Sequence, residues 1–323
     1  MTAAPGKATA VPAVPAAPLV PQTVDYAHRP TRALRIDLYR PAGDATTWPV
    51  VVWVHGGGFF RGDRTKIPEQ LGQFLARGLA VASIDYRLSH EARFPAQLHD
   101  VRAAVRHLRR HAHDLGVDPA AVGLWGASAG GTLAALVGLL GHQEQLPGEG
   151  DVTGDVSVRA VAESYGLTDL TASAPPAEAS IPGMTGANSP EARLFGGTPA
   201  EKPELAACAS PLTHVHAGAP PFQISHGTAD PLVPWSHSHR LHAGLTAAGA
   251  VSDLFLVEGY RHGFLNSPRL VDVDTDRLLD GGRLAAEGLA PARHHSSAGP
   301  GDGTKAMFGF ETISHFFATR LSP

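Results

Sequence analysis

Residues 126–130 read GASAG and match G-x-S-x-G, a sharp strand-to-helix turn that exposes a nucleophilic serine. Such a turn strains the serine backbone and crowds its flanks, so only very small residues fit there. Ser128 remains a poor nucleophile until a base takes its proton. Among 18 histidines, His262 in EGYRHGF stands just past one apolar strand-like run. Asp230 in HGTADPLVP stands just past another. The chain order Ser128, Asp230, His262 is the order that accompanies this serine turn. Taken alone, Asp230 reads equally as a turn or helix-capping residue, and His262 as an exposed loop histidine. Three suitable residue types in that order, each following a strand, select the triad. His226 is expected to pack at a strand end. His237, His239 and His242 fall on a helix, and His294 and His295 in a polar loop.

A serine attacking a carbonyl creates an oxyanion that needs donors. HGGGFF at 55–60 supplies glycines just after a strand, where N–H groups reach into a site without a Cβ in the way. The N–H groups of Gly57, Gly58 and Ala129 can converge on one oxygen. The alternatives are a flexible glycine loop or a phosphate cradle, and the second lacks the Lys-Ser/Thr that follows such glycines. His55 is expected to tie this loop down by hydrogen bonds. Phe59, Phe60, Tyr165 and Trp235 are candidates for the substrate pocket wall, with core packing as the equal alternative. Bulky phenylalanines beside the loop favour a short acyl group. A histidine base ordinarily titrates near 6.5, so activity is expected to rise between about pH 6 and 7 and level off above. No metal pattern is evident, and VDVDTD at 271–276 lacks the glycine and distant glutamate of a calcium loop. No cofactor is implied.

These residues need a scaffold. WPVVVWVHGGG (48–58) and LAVASIDYRL (79–88) are apolar runs of the kind buried on both faces of a sheet. RALRIDLYRP (32–41), VRAVAESYG (158–166), PFQISHG (221–227) and SDLFLVEG (252–259) also read as strands. EQLGQFLARG (69–78), PAQLHDVRAAVRHLRRHA (95–112), the stretch after Ser128, SHSHRLHAGLTAAG (236–249) and ETISHFFATRL (311–321) show helical spacing. This alternation predicts an α/β fold, a mostly parallel central sheet with helices on both faces. Reactive groups in such folds gather past the C-terminal strand ends.

The chain has 323 residues, 43% of them hydrophobic, and a formal net charge of −4, a length that suits one large α/β domain or two modest ones. The densest basic stretch, HLRRHAH at 107–113, reads as a helix face and its last turn, so nucleic acid is not an expected partner. Residues 1–24 are expected to form a disordered Ala/Pro-rich tail, and 25–323 the folded domain. No stretch reads as a signal peptide or membrane span, and the lone Cys208, expected to be a small packing residue, forms no internal disulfide. A cytoplasmic location is expected, with export through an unusual signal as the alternative.

With HGGGFF, DYRL, GASAGG, HGTADPLVP and YRHGF in that order, the chain resembles the α/β-hydrolase superfamily. It is most similar to its HGGG-loop carboxylesterases, which include hormone-sensitive-lipase-like enzymes and prokaryotic esterases related to acetyl-xylan and feruloyl esterases. The resemblance implies Ser128 as nucleophile, His262 as base, Asp230 as orienting acid, and Gly57, Gly58 and Ala129 as oxyanion donors. It implies a small-molecule ester as partner and an Arg87–Asp100 structural ion pair. It is compatible with a homodimer, and it fixes neither the acyl group nor the alcohol. An amidase, formamidase or acyltransferase on the same triad is the alternative, and a non-catalytic binding protein a more distant one. The chain departs from the pattern in a long inserted loop at about 267–308. TDRLLDGGRLAAEGLA (275–290) reads as a helix broken at its glycine pair, and SSAGPGDGTK (296–305) as loop. Part of this insert is expected to fold over the site or form a subunit contact.

Overall fold

A computed structural model describes residues 19–43, 45–68, 70–150, 152–171, 185–268, 277–299 and 303–322. Its strands are β1 (Gln22–His28), β2 (Ala33–Tyr39), β3 (Trp48–Val54), β4 (Ala80–Ile84), β5 (Val117–Ala127), β6 (Ala160–Ser164), β7 (Phe222–Gly227), β8 (Ser252–Val257), β9 (Ala290–Ser296) and β10 (Thr304–Phe308). The helices are α1 (Leu71–Leu75), α2 (Ala96–Arg110), α3 (Ala112–Leu115), α4 (Ala129–Leu140), α5 (Pro190–Phe195), α6 (Pro203–Cys208), α7 (Ser236–Ala247), α8 (Arg283–Glu287) and α9 (Phe310–Leu321). Among the described residues no helix is long and apolar enough to cross a membrane.

The strands form one sheet in the order β1-β2-β4-β3-β5-β6-β7-β8-β9-β10. From β4 to β8 neighbours run parallel, and both margins are antiparallel. Strand β3 shows why its sequence is apolar throughout. Val50, Val52 and Val54 enter a core on one face with Leu98, Val101 and Val105 of α2 and Leu133 and Leu136 of α4. Val51 and Trp53 enter a second core on the other face, with Phe74 of α1 and Ile313 and Phe317 of α9. Successive side chains of a strand point to opposite faces, so a strand covered on both sides must be apolar at every position.

Several expectations are corrected. Gln22–Val24 belong to β1, because they pair with β2, whereas residues 1–18 lie outside the described set. The insert at 267–308 is not a loop over its full length. Its second half forms β9 and β10, a hairpin that extends the sheet beyond β8. Among the described residues of the predicted helix at 275–290, Arg283–Glu287 alone are helical, starting after Gly282. His294 and His295 therefore lie in β9, and His294 pairs with Asp253 of β8 at 2.9 Å. The apolar alternation of β9 is weak because only Ala290 and Ala292 are buried. Sequence patterning reads such an edge segment as polar loop. Cys208 ends α6 and is exposed, so it fills no core space. The VDVDTD segment lies outside the described residues.

Candidate active site

The sheet places three short segments side by side. Ser128 follows β5, Asp230 follows β7 and His262 follows β8, all at C-terminal strand ends. Ser128 has φ 54° and ψ −125°, a strained conformation for an L-residue, and α4 starts at the next residue. The tightness of this turn explains its glycines. A Cβ on Gly130 would stand 2.0 Å from the Val54 carbonyl oxygen, so no side chain fits.

His262 Nδ1 lies 2.6 Å from Asp230 Oδ2. A carboxylate only accepts, so Nδ1 carries the proton, and in the neutral imidazole Nε2 is bare. Ser128 Oγ, 2.9 Å away, then donates to Nε2. Asp230 is itself held, because its Oδ1 accepts the N–H groups of Leu232 and Val233 at 2.8 and 2.9 Å. Burial opposes ionisation of Asp230. The charge of His262 and hydrogen bonds from His226 and His262 override that penalty and hold the carboxyl well below its ordinary range. The three groups are therefore arranged so that an imidazole, fixed in one tautomer, faces a serine hydroxyl.

The HGGG loop follows β3, next to β5 in the sheet. Gly57 has φ 122°, and a Cβ there would come 2.1 Å from the Arg61 carbonyl oxygen. Among the described residues, the N–H groups of Gly57, Gly58 and Ala129 meet no acceptor. They are available to a developing oxyanion beside Ser128. His55 anchors the loop as expected. Its ring stacks on Tyr86 at 4.3 Å, and its Nδ1–H donates to the Gly56 carbonyl at 2.8 Å. Burial lowers the His55 pKa to about 4, so it stays neutral. Tyr86 reinforces the arrangement by donating to the His55 carbonyl at 2.9 Å. The next residue, Arg87, pairs with buried Asp100 of α2 at 2.7 Å, and Arg29 reaches the same carboxylate.

The four aromatic candidates separate. Phe59, at φ 65°, turns its ring into the core beneath the loop and is 1% exposed, so it supplies packing in place of a pocket wall. Tyr165 is fully buried and packs edge-on against the His262 ring at 4.9 Å, backing the imidazole. Trp235 is exposed at the start of α7, where its ring packs edge-on against His239 at 5.9 Å. Phe60 remains beside the oxyanion loop. The guanidinium groups of Arg193 and Arg61 lie 5.0 and 5.5 Å from the centre of its ring.

Three residues near the triad carry no signal in the sequence. His226 does pack at its strand end, and it also reaches Asp230 Oδ2 at 3.2 Å. Ser238 of α7 and Glu163 of β6 stand behind it, both fully buried. Burial raises the Glu163 pKa to about 7. Unfolded, a glutamate titrates near 4.3, so this stabilising term is fully present below that pH and is lost as the pH rises through about 7. Glu163→Gln is therefore expected to gain about 3 kcal/mol relative to wild type between pH 4 and 8, read by urea denaturation at both values. A constant difference would show that Glu163 does not titrate in this range.

A family model described as BD-FAE matches residues 36–245. The chain is 33% identical over 205 residues to the esterase LipQ of Mycobacterium tuberculosis, covering 63% of this chain and 47% of LipQ. It spans about half the length of the curated relatives it matches first. A truncated carbohydrate esterase from gut microbiota superposes with a TM-score of 0.65 at 30% identity, covering 78% of this chain and 92% of that one. The thermophilic esterase Est2 of Thermogutta terrifontis, solved with propionate bound, gives a TM-score of 0.62 at 27% identity, covering 83% of this chain and 93% of that one. Est2 has also been solved phosphorylated by paraoxon.

Proposed function

The chain belongs to the BD-FAE family of α/β-hydrolases, and we propose that it is a serine carboxylesterase acting on short-chain, acetyl-like or small aromatic esters. The observation that carries this reading is the unbroken hydrogen-bond series from Ser128 Oγ through His262 to Asp230 Oδ2. Ser128 attacks the ester carbonyl while His262 Nε2 takes its proton. The oxyanion rests on the N–H groups of Gly57, Gly58 and Ala129. The imidazolium, held by Asp230, then protonates the departing alcohol, and water resolves the acyl-enzyme by the same route. The short-acyl preference is supported by Phe60 beside the oxyanion loop and by the propionate and butyrate held in the Est2 structures.

The test is turnover of p-nitrophenyl esters from acetate to octanoate. Rates are expected to be highest for the shortest chains, with kcat/KM rising between about pH 6 and 7 as a histidine base loses its proton. Activity that stays level down to about pH 4 contradicts a histidine base. Turnover of anilides without turnover of esters would move the assignment to an amidase. A cytoplasmic location accompanies the proposal because the exposed Cys208 thiol suits a reducing compartment. Recovery in a secreted or membrane fraction overturns that part.

A further inference from the structure

Glu163, Ser238 and His226 form a buried chain that the hydrolysis just described does not use, and each is 0% exposed. His226 Nε2 faces two acceptors, the Val233 carbonyl at 2.8 Å and Asp230 Oδ2 at 3.2 Å. It must therefore carry a proton. His226 Nδ1 lies 2.8 Å from Ser238 Oγ, and Ser238 Oγ lies 3.3 Å from Glu163 Oε2. The second carboxyl oxygen, Oε1, accepts the N–H of Gly166.

One hydroxyl proton stands between a ring nitrogen and a carboxyl. It satisfies both neighbours only if one further proton sits at one end of the chain. In one arrangement Glu163 is protonated and donates to Ser238, which donates to a neutral imidazole. In the other, His226 is an imidazolium that donates to Ser238, which donates to a carboxylate. We propose that Glu163, acting through Ser238 and His226, is a positioning residue whose proton keeps the imidazole behind Asp230 neutral. A neutral His226 then donates to Asp230 without adding a charge of its own, and His262 is the imidazole whose charge Asp230 stabilises. This inference rests on the serine-esterase reading.

The surroundings favour the first arrangement. Among the described residues no lysine or arginine pairs with Glu163, and burial favours its neutral form. The other titratable groups around the chain supply no free positive charge. Asp230 and His262 come from the turns after β7 and β8. Tyr165, after β6, is buried, and burial pushes its phenol up. His237 of α7 is held neutral, because burial lowers it to about 4. Arg240, one turn further along α7, is engaged by Asp169 at 2.7 Å.

Deprotonating Glu163 leaves one hydroxyl proton facing two acceptors, so Nδ1 of His226 competes with a carboxylate for it, and the ring that donates from Nε2 to Asp230 loses its anchor. Wild-type kcat/KM is then expected to decline several-fold above pH 7, in place of the plateau of a lone histidine base. Glu163→Gln cannot ionise, and its amide can serve both Ser238 and Gly166, so this alkaline decline is expected to vanish. Ser238→Ala cuts the chain and is expected to lower kcat about tenfold while KM moves less than about twofold. Nitrogen-15 NMR of histidine-labelled wild-type protein reads the proton directly. His226 is expected to be singly protonated, on Nε2, at pH 6. A doubly protonated His226 overturns the proposal, and so do alkaline arms that superimpose in wild type and Glu163→Gln. If the wild type hydrolyses no ester, the esterase reading fails, while the NMR result still decides where the proton sits.

Discussion

Replacing Ser128 by alanine is expected to lower kcat for p-nitrophenyl acetate by about six orders of magnitude. Nucleophile, base and orienting acid act as one unit, so losing the nucleophile costs about as much as losing all of them. The hydroxyl is the only group removed. The backbone at φ 54° is retained, and alanine meets that strain much as serine does. The fold should therefore survive, and an unchanged thermal transition would verify it. The three N–H donors also remain, so a residual rate above that in water is expected. A chemical readout is independent of turnover. After exposure to paraoxon, wild-type protein should gain one covalent phosphoryl adduct by intact mass, and Ser128→Ala none. An adduct on the variant, or activity within about tenfold of wild type, would place the nucleophile elsewhere.

Asp230→Asn is expected to be nearly as severe, lowering kcat by about four orders of magnitude with little change in KM. The substitution preserves shape, and the amide oxygen can still accept from Leu232 and Val233. What changes is the proton on His262. An amide N–H facing Nδ1 turns that nitrogen into an acceptor and moves the ring proton to Nε2. There it points at Ser128 Oγ and cannot receive its proton. The variant also reports on stability. The Asp230 carboxyl is held below its ordinary range once His262 and His226 override burial. Its contribution is therefore present above the unfolded value near 3.9 and is lost as the pH falls below it. The stability gap between wild type and Asp230→Asn should narrow as the pH drops from 5 to 3, measured by thermal melts across that range. A gap that widens on acidification would contradict this placement of the charge.

Much of this could be read along the chain because the signals are local. β3 is apolar at every position since each of its faces meets a core, and such a run is recognisable without neighbours. The serine turn and HGGG loop are legible because close backbone approach excludes side chains, leaving glycine where a Cβ would collide. His262 and Asp230 are recovered by residue type, chain order and position after strands. The margin of the sheet was not legible. β9 buries only two alanines, and an edge hairpin is defined by its hydrogen bonds to a distant strand. The aromatics were not separable either, because a phenylalanine at φ 65° points wherever its backbone turns it.

Residue types and order by themselves determined the α/β architecture, the candidate triad and the oxyanion loop, since each depends on local sterics or on a strand's position in an alternating series. Only the tertiary structure decided which aromatics face the site and that Glu163 and Ser238 stand behind His226 and Asp230. Glu163, His226 and Ser238 lie on β6, β7 and α7, and they meet because parallel strands and their covering helix converge in space. Charge and hydrogen bonding act through distance, and the distance between residues 163 and 238 is set by the fold.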